Sequence, residues 1–425
     1  MAQALYFSRD TKMFLEFDSF VWEIPVLDGF SFSQATNSSE ITLAEMESTG
    51  GVSRRGRRAF NDSLAPGEWS FSTYVRPFTA AGASQGTGSA DAAAEVHAVE
   101  EVLWALMAGA DNYTSSKYDK GGTNVLVPGS TSMAINFESS NLAQLSTFNL
   151  YFVLGNTQRQ VMKLEGCVVG EASIDFDIDG IATIAWSGNA ANVLDFTGST
   201  IEATSAPAHN ASTADGSEIA VGDVFLDTDN GHKLQIVTVK PGSGTVSLGS
   251  YVNEAITSTS NFIRNRLTTL TVAPTSTDPD SDGVAELESS YNLTLTGGNV
   301  TISNNITFIT PEELGIVNVP IGHVTGTRNV SGSFTCYLTD DDSNTTMSKD
   351  FFEDVRAITN VVTNSFALTF KIGGATGTGL ELSMPTSHVE IPTHSIEDVI
   401  SLETNFQALP SAIDQANELA LTYRP

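Results

Sequence analysis

Three aspartates at alternate positions are the residues of this sequence whose type and spacing come closest to chemistry. Asp175, Asp177 and Asp179 alternate with apolar residues in the segment Ile174–Asp179. As a strand, this segment would bury one apolar face and carry a carboxylate row on the other, with ~7 Å between neighbouring carboxylates. That spacing is near the one used by paired catalytic carboxylates. It is also typical of a solvated strand face, or of an acidic surface beside a nucleic-acid path.

The catalytic and metal-binding interpretations are the weakest of these. A second segment resembles this one at an offset of 218 residues, and the corresponding residues there are Thr393, Ser395 and Glu397. No histidine lies near the three aspartates to complete a site. The solvated face and the acidic surface both remain open, and Glu397 joins the three aspartates as a candidate acidic residue.

An arginine cluster is the second candidate. Arg54, Arg55, Arg57 and Arg58 place four of the 20 lysines and arginines in one predicted loop. Basic clusters often bind phosphate, but the net charge of −30 opposes contact with a polyanion. The favoured interpretation is a contact with an acidic surface of an identical neighbour, and the alternative is a solvated loop.

The remaining motifs are weak. Asp278–Gly283 resembles the start of a calcium loop, but the twelfth position is Ser289 instead of glutamate, which favours an acidic loop without calcium. Gly374–Gly379 lies between two strand patterns, which predicts a hairpin turn and not a phosphate cradle. The sequence contains no nucleophile elbow and no HExxH motif. We therefore expect no enzyme activity, no metal and no cofactor.

The candidate residues lie within an internal repeat. Phe148–Gly188 aligns with Phe366–Phe406 at the offset of 218 without a gap, and the shared apolar residues recur at every second position. That period is typical of strands with one buried face. An offset of 255 aligns Leu15 with Leu270 near the start of each copy.

Further strands and one helix recur in each copy. Gly29–Ser33 aligns with Gly298–Ile302, and Ser70–Val75 with Ser333–Leu338. The predicted helices carry apolar faces: Val96, Val99, Leu103 and Leu106 before a stop at Gly109, and Phe351, Val355, Ile358 and Val362 after a cap at Ser348. This order predicts an α+β, predominantly β fold in which each unit has two packed sheets and a flanking helix.

The predicted organisation is two tandem units with an insertion. Residues 1–195 form the first unit and residues 256–425 the second. Residues 196–255 have no counterpart and read as a small β-meander. The first unit also has a long helix-to-strand connection, Ala110–Thr147, which the second lacks.

The cysteines, the apolar runs and the tryptophans of the sequence argue against a disulfide-rich, secreted or membrane-spanning protein. The two cysteines lie at non-equivalent places in the copies, so we expect no disulfide framework. The first ten residues lack a long apolar stretch, and no apolar run is long enough to span a membrane, so we expect neither a Sec-type signal nor a membrane span. All four tryptophans lie in strand or helix patterns that predict core positions: Trp22, Trp69, Trp104 and Trp186.

These features together resemble the major tail tube proteins of long-tailed bacteriophages, in the variety whose tube domain is duplicated in one chain. The resemblance covers both copies but not the meander. It is carried by Ser53–Pro66, Trp69–Phe78, Asn305–Phe308 with Pro311 and Glu312, and His388–Thr393.

The resemblance implies a fold and a function. Each unit would be a β-sandwich or half-barrel with a flanking helix. Six units, from three chains, would close a ring whose inner sheets join into a barrel, and rings would stack into a tube for genome passage. The implied partners are further copies of the chain, other tail proteins at the tube ends and a tape measure protein inside. DNA would pass without specific binding. The implied location is the virion tail, assembled in the host cytoplasm.

Roles for the candidate residues follow from the same resemblance. The acidic residues Asp175, Asp177, Asp179 and Glu397 would face the channel. The arginine cluster and the Ala110–Thr147 connection would join stacked rings, and the meander would project outward. The main alternative is a surface-exposed β-rich adhesin or glycan-binding module, which would need an export signal and exposed aromatic clusters. A secretion-system tube protein is disfavoured because it normally has one unit per chain.

Overall fold

A computed structural model describes residues 5–42, 56–80, 95–114, 117–137, 144–156, 159–210, 219–229, 232–252, 262–278, 283–314, 316–341, 345–357, 365–413 and 415–425. Strands dominate, and the helices of this part are α1 (Glu101–Met107) and α2 (Ser348–Ala357). The predicted fold class, α+β and predominantly β, is confirmed.

Seventeen strands precede residue 196 in the described part of the chain. They are β1 (Lys12–Phe17), β2 (Phe20–Ile24), β3 (Ser31–Ser33), β4 (Thr36–Thr42), β5 (Arg57–Leu64), β6 (Gly67–Tyr74), β7 (Pro77–Ala80), β8 (Glu95–Ala98), β9 (Asn112–Thr114), β10 (Lys117–Lys120), β11 (Thr123–Asn124), β12 (Leu126–Pro128), β13 (Met133–Asn136), β14 (Phe148–Leu154), β15 (Gln160–Asp177), β16 (Thr183–Ala190) and β17 (Asn192–Asp195).

The remaining strands follow in two groups. Those of the insertion are β18 (Thr200–Ala203), β19 (Ala208–Asn210), β20 (Val224–Asp227), β21 (Lys233–Val239), β22 (Ser243–Thr245), β23 (Ser247–Leu248) and β24 (Ser250–Tyr251). Those of the second predicted unit are β25 (Thr269–Pro274), β26 (Tyr291–Asn292), β27 (Leu295–Ser303), β28 (Ile306–Ile309), β29 (Gly322–Thr325), β30 (Asn329–Tyr337), β31 (Phe366–Ile372), β32 (Gly379–Val389), β33 (Thr393–Ile396), β34 (Ile400–Ala408) and β35 (Ala420–Arg424).

One eight-stranded sheet runs through both predicted units in the order β3-β6-β16-β15-β27-β30-β34-β33. A first flanking sheet has the order β2-β1-β14-β15-β17. A second has the order β26-β25-β31-β32-β35-β13-β12. The main core, which includes all four predicted tryptophans, lies between the eight-stranded sheet and the flanking sheets.

The long strand β15 takes part in two sheets. Its first half pairs with β14 and β17, and its second half pairs with β16 and β27. The register of its pairing with β14 shifts between Phe148 and Leu150 of β14. Gly166 lies at this point of β15 and has a φ of +63°. A bulge of this kind bends a strand and re-aims its side chains, so the two halves of β15 can serve different layers.

The strand pairing corrects the gap-free alignment of the two predicted copies. Leu150 faces Leu164, whereas its counterpart Leu368 faces Met384, which lies two residues beyond the predicted Leu382. The second hairpin is longer by two residues, and Gly373, Gly374 and Gly377 adopt positive φ angles in its turn. From this hairpin to β33 the offset is therefore 220, and Asp175 and Asp177 correspond to Ser395 and Glu397.

Two further offsets differ from the predictions. Ser31 pairs with Ser70, and Asn299 pairs with Ser333, so β3 matches β27 one residue away from the predicted alignment. A slip of one residue reverses the face of every side chain in the strand, so the predicted alignment assigned the side chains of β3 to the wrong face. Near the start of each unit, Leu15 faces Leu150 while Val272 faces Leu368, which gives an offset of 257 instead of 255.

Helix α1 differs from the predicted flanking helix. Val96 belongs to strand β8, and the helix begins only at Glu101, whose carboxylate accepts the Ala98 N–H at 3.1 Å. All seven helical residues are buried, so α1 is a core helix without a solvent face. The predicted stop is confirmed by Gly109, whose φ is +98°.

Helix α2 agrees better with its prediction. Phe351 and Val355 are buried as expected, while Ile358 and Val362 lie outside the described residues. Ser348 does not cap the helix. Its hydroxyl donates to the Tyr337 carbonyl at 2.8 Å, and Asp350 accepts the Met347 N–H instead.

The insertion is not a simple meander. Strands β18, β20, β21 and β23 form one sheet, and β18 pairs with β20 in parallel. A second core joins this sheet to the outer face of the first flanking sheet, and Tyr251 of β24 belongs to it. The side chains from β1, β14 and β15 are Phe14, Tyr151, Val153 and Val161, and those from the insertion sheet are Val224, Leu226, Leu234 and Ile236.

The insertion covers an apolar face of the first predicted unit, and the second predicted unit carries polar residues at the corresponding positions. By the corrected offsets, the counterparts of Phe14, Tyr151, Val153 and Val161 are Thr271, Thr369, Lys371 and Glu381. Lys371 and Glu381 form an ion pair at 3.7 Å on that face, and both are partly exposed. The apolar face of the first unit therefore accompanies the insertion that covers it.

The described part of the Ala110–Thr147 connection is largely packed inside the chain, and its predicted contact with a stacked ring stays a prediction. It supplies β9 to β13, with buried Tyr118, Met133 and Phe137. Arg328 donates to the Phe137 carbonyl at 3.2 Å and to Glu418 at 2.7 Å, and both charged groups are buried. Removing one partner of such a pair typically costs ~3–5 kcal/mol.

Candidate functional site

The eight-stranded sheet has one apolar face in the core and one polar face outside it. On β6, Trp69, Phe71 and Thr73 are buried, and the residues between them are more exposed. The same alternation continues on β15, β16, β27, β30 and β34. We call the second side the polar face. Serine, threonine and asparagine predominate on it, with carboxylates among them.

Seven carboxylates lie on this face or at its edge, and they come from both predicted units. Its strands contribute no lysine or arginine side chain to it in the part of the chain that the structure describes. The acidic residues are Glu68, Glu171, Asp175, Asp177, Glu390, Glu397 and Glu403.

The predicted acidic row is shorter than expected. Asp175 and Asp177 are exposed on β15 beside buried Ile174 and Phe176, as predicted. The strand ends at Asp177, so Ile178 is 44% exposed and not buried. Asp179 lies in the following turn, where its carboxylate pairs with Arg266 at 3.3 Å. Among the described residues neither Asp175 nor Asp177 forms an ion pair, although Asp177 accepts the Gly180 N–H at 2.7 Å, and the charge of Asp179 is offset by Arg266.

Glu397 lies in the turn between β33 and β34 and is exposed. It belongs to the same edge of the polar face as Glu403, which is opposite Thr393 in the pairing of β33 with β34. The structure thus brings Asp175 and Asp177 onto one strand and leaves Glu397 at the far end of the sheet, in the second predicted unit.

Short polar contacts tie the strands together across the polar face. The hydroxyls of Ser173 and Thr301 are 3.1 Å apart, and they link β15 to β27. Asn405 donates to Glu390 at 3.0 Å. These contacts satisfy polar groups without adding positive charge.

Four acidic residues of the polar face were not predicted: Glu68, Glu171, Glu390 and Glu403. For Glu68 and Glu403 the sequence does carry a signal. In the segments Glu68–Phe71 and Glu403–Phe406, polar and apolar residues alternate as they do in Ile174–Asp179, which predicts an exposed acidic side chain on a strand.

The side chains that could bind a metal ion are dispersed in the part of the chain that the structure describes. Within the described residues, no three histidine, cysteine, aspartate or glutamate side chains cluster closely enough to hold a metal ion. Of the predicted calcium-like loop, residues 279–282 lie outside the described part. Cys167 and Cys336 are buried, and burial raises the pKa of the Cys336 thiol to about 12.

The arginine cluster is only partly described. Arg54 and Arg55 lie outside the described residues, whereas Arg57 and Arg58 open strand β5 and are not in a loop. Arg57 donates to Glu40 on the facing strand at 2.7 Å. The β4–β5 hairpin is exposed along most of its length, and Asn318 of the second predicted unit bonds to its base.

A search of the described residues finds no helix with the length and apolar character needed to cross a membrane.

Comparison with known proteins gives one curated relative. No family model matches the chain. The chain is 27% identical over 399 residues to the tail tube protein pb6 of Escherichia phage T5, and the alignment covers 93% of this chain and 69% of the relative. The alignment extends over nearly the whole chain and agrees with the predicted family. The alignment therefore supports the predicted resemblance to the major tail tube proteins of long-tailed bacteriophages, with a structural role in the virion tail.

Proposed function

We propose that three copies of this chain close a ring of six tube units, and that such rings stack into a tail tube through which DNA passes. The two units are residues 1–195 and 256–425, with 196–255 as an insertion. Support comes from the strand ladders, which recur in both units, and from the pairing of β15 with β27, which joins one unit to the next. A repeat of the same contact between chains would close a ring and leave no free sheet edge.

The polar face is the proposed wall of the channel, and its charge is the observation that carries the proposal. Asp175 and Asp177 from the first unit would present carboxylates to the passing DNA, with Asp179 from the first unit and Glu397 from the second at the rim. Carboxylates repel phosphates, whereas lysine or arginine would bind them with counterion release. A wall with this composition lets DNA move without being held.

The β4–β5 hairpin is the proposed contact between stacked rings. It is an exposed hairpin with apolar side chains at Ile41 and Phe60, which are 50% and 44% exposed. Arg57 and Arg58 lie on it, and Arg54 and Arg55 immediately precede it in the sequence. Basic residues at this place suit an acidic neighbouring ring.

The insertion lies on the outer face of the first flanking sheet, on the opposite side from the polar face. In a ring whose polar face lines the channel, it would decorate the outside of the tube. The proposed partners are further copies of the chain, other tail proteins at the tube ends and a tape measure protein inside the channel.

Electron microscopy of the purified protein tests the proposal. We expect hollow tubes built from rings with threefold symmetry, each with six similar lobes around an open channel. Solid filaments, or a protein that stays monomeric at high concentration, would contradict it. Binding of the monomeric protein to immobilised glycans would favour the adhesin alternative.

A further inference from the structure

We infer that the contact between the two units inside one chain is the template for the contact between chains, and that the segment Leu5–Asp10 docks on the β33–β34 turn of a second copy. This inference rests on the proposed ring. It adds the strand register and the docking residues, which the ring itself does not specify.

The contact inside the chain has a defined register, and we call it the internal seam. The second half of β15 pairs antiparallel with β27, from Glu171 opposite Ser303 to Asp177 opposite Gly297. In the middle of the ladder, Ser173 faces Thr301 and their hydroxyls are 3.1 Å apart.

Backbone bonds extend the internal seam beyond the ladder. The Ala182 N–H donates to the Ile263 carbonyl at 2.8 Å, and the Asn265 N–H donates to the Gly180 carbonyl at 3.0 Å. These bonds hold the start of the second unit against the turn that follows β15. The ion pair between Arg266 and Asp179 closes the same place.

Aromatic contacts complete the internal seam. The Phe262 ring packs edge-on against Tyr74 with centroids 5.2 Å apart, and the Arg76 guanidinium lies 5.1 Å from the Phe262 centroid. Ile263 next to it is only 2% exposed. Ile263 is therefore buried at the internal seam, whereas one side of the Phe262 ring stays open and its side chain is 54% exposed.

The chain also carries both halves of a second such seam, at opposite ends, and no described segment covers either half. Strand β3, the counterpart of β27, pairs only with β6 in the described structure. Strand β33, the counterpart of the second half of β15, pairs only with β34 there. The 3₁₀ turn Ser8–Asp10 corresponds to the turn Asn265–Leu267 at the offset of 257.

Exposure distinguishes the covered seam from the open one. Tyr6 corresponds to the buried Ile263 but is 51% exposed. Tyr337 corresponds to Tyr74, yet no ring packs on it among the described residues, and it is 39% exposed. Apolar side chains at these positions indicate surfaces that a second copy covers, because the equivalent surfaces inside the chain are covered by each other.

The offsets then fix the register between chains. The pair of Ser173 and Thr301 becomes Thr393 opposite Ser33 of the next chain. The bond from Ala182 to Ile263 becomes one from the Ile400 N–H to the Tyr6 carbonyl. Arg9 is the counterpart of Arg266, which pairs with Asp179 in the turn between β15 and β16. In the next chain the corresponding turn, between β33 and β34, is shorter, and Arg9 would meet Glu397 and Asp398 there.

Paired cysteines test the register in assembled tubes. Ser33→Cys with Thr393→Cys places two thiols directly opposite each other, within the range that a disulfide spans. Mild oxidation should convert most chains into covalent trimers on a non-reducing gel. The matched control, Ser33→Cys with Glu397→Cys, separates the thiols by four residues, or ~13 Å along the strand, and should stay monomeric.

Charge exchange tests the docking segment. Arg9→Glu should reduce ring formation at least tenfold in sedimentation, and adding Glu397→Arg with Asp398→Arg should restore it. Circular dichroism of each chain separates assembly from folding. Two results would overturn the inference and leave the proposed tube intact, provided that the wild type forms tubes. One is cross-linking of the control pair and not of the Ser33→Cys, Thr393→Cys pair. The other is normal ring formation by Arg9→Glu. A wild-type chain that forms neither rings nor tubes would overturn the proposed function itself.

Discussion

The phenol of Tyr423 donates a 2.7 Å hydrogen bond to the Glu100 carboxyl and so ties the last strand of the chain to the residue before helix α1. Trp104 donates in turn to the same phenol at 2.7 Å. Glu100 is completely buried, and within the described structure its second oxygen has no hydrogen-bond partner. Burial raises the pKa of Glu100 to about 7, although Tyr423 and Arg76 oppose the rise.

The first prediction concerns stability against pH. Folded Glu100 keeps its proton up to a pH of about 7, whereas the unfolded chain releases it near 4.5. Between these values the folded chain binds more protons, so the free energy of unfolding falls as the pH rises. At ~1.4 kcal/mol per pKa unit, Glu100 contributes a loss of about 3 kcal/mol across this window. Urea unfolding of the unpolymerised chain at pH 5 and pH 8 measures it.

The variant Glu100→Gln isolates this effect, because it cannot ionise. Relative to the wild type, it should gain about 2.5 kcal/mol between pH 5 and pH 8, because part of the full change lies below pH 5. His97 acts in the same direction: burial opposes its charge, but the Glu101 carboxylate at 3.0 Å raises its pKa, so its stabilisation is lost as the pH rises through that value. His97 is unchanged in both proteins. An unfolding free energy that differs by a constant amount at both pH values would contradict the prediction.

The second prediction concerns the insertion. Replacing residues 198–250 by a flexible linker should expose Phe14, Tyr151, Val153 and Val161 and cause aggregation, because a contiguous apolar patch of this kind promotes association. Light scattering of the purified protein at rising temperature measures the onset.

The second unit indicates which substitutions should restore the solubility of the shortened chain. Its residues at the same positions are polar, so the shortened chain with Phe14→Thr, Tyr151→Thr, Val153→Lys and Val161→Glu should regain solubility. The same four substitutions in the full-length chain should be strongly destabilising, since they place polar groups against a buried face. A shortened chain that is equally soluble with and without the substitutions would show that the insertion does not protect this face.

The third prediction concerns the polar face. Tubes of the variant Asp175→Lys with Asp177→Lys should assemble, because both side chains are exposed, but should retain short duplex DNA in a form protected from nuclease. Retention should fall steeply with salt as counterions compete. Wild-type tubes should retain none.

The control reverses two charges elsewhere. Asp340→Lys with Glu353→Lys changes the net charge equally, and helix α2, which carries Glu353, packs on the apolar side of β30 through Phe351. This variant should give no protected DNA. Equal protection in both variants, or none in either, would remove Asp175 and Asp177 from the channel wall.

The fourth prediction concerns the β4–β5 hairpin. Replacing Arg54, Arg55, Arg57 and Arg58 by glutamate should leave rings intact and prevent their stacking. The fold should survive, since exposed ion pairs such as that of Arg57 with Glu40 contribute only ~0–1 kcal/mol. Sedimentation separates rings from tubes. As a control, exchanging the pair through Glu40→Arg with Arg57→Glu should permit stacking. Normal tubes from the fourfold variant would refute the assigned role.

The sequence by itself determined which residues are buried within a strand and where many elements lie. The alternation in Ile174–Asp177 placed Asp175 and Asp177 on the exposed face, and Gly109 marked the end of helix α1. The four tryptophans were correctly assigned to the core. Such features depend on local periodicity and backbone conformation, which the sequence encodes within a few residues.

Only the tertiary structure decided register and coverage. Two additional residues in the hairpin after Ile372 move the counterpart of Asp177 to Glu397 without disturbing the alternation, because strands keep the same pattern under any even shift. Coverage is equally non-local. Helix α1 is buried on every side because several layers meet around it. The apolar outer face of β1 and β14 is stable only because a segment some 75 residues beyond β14 folds back over it.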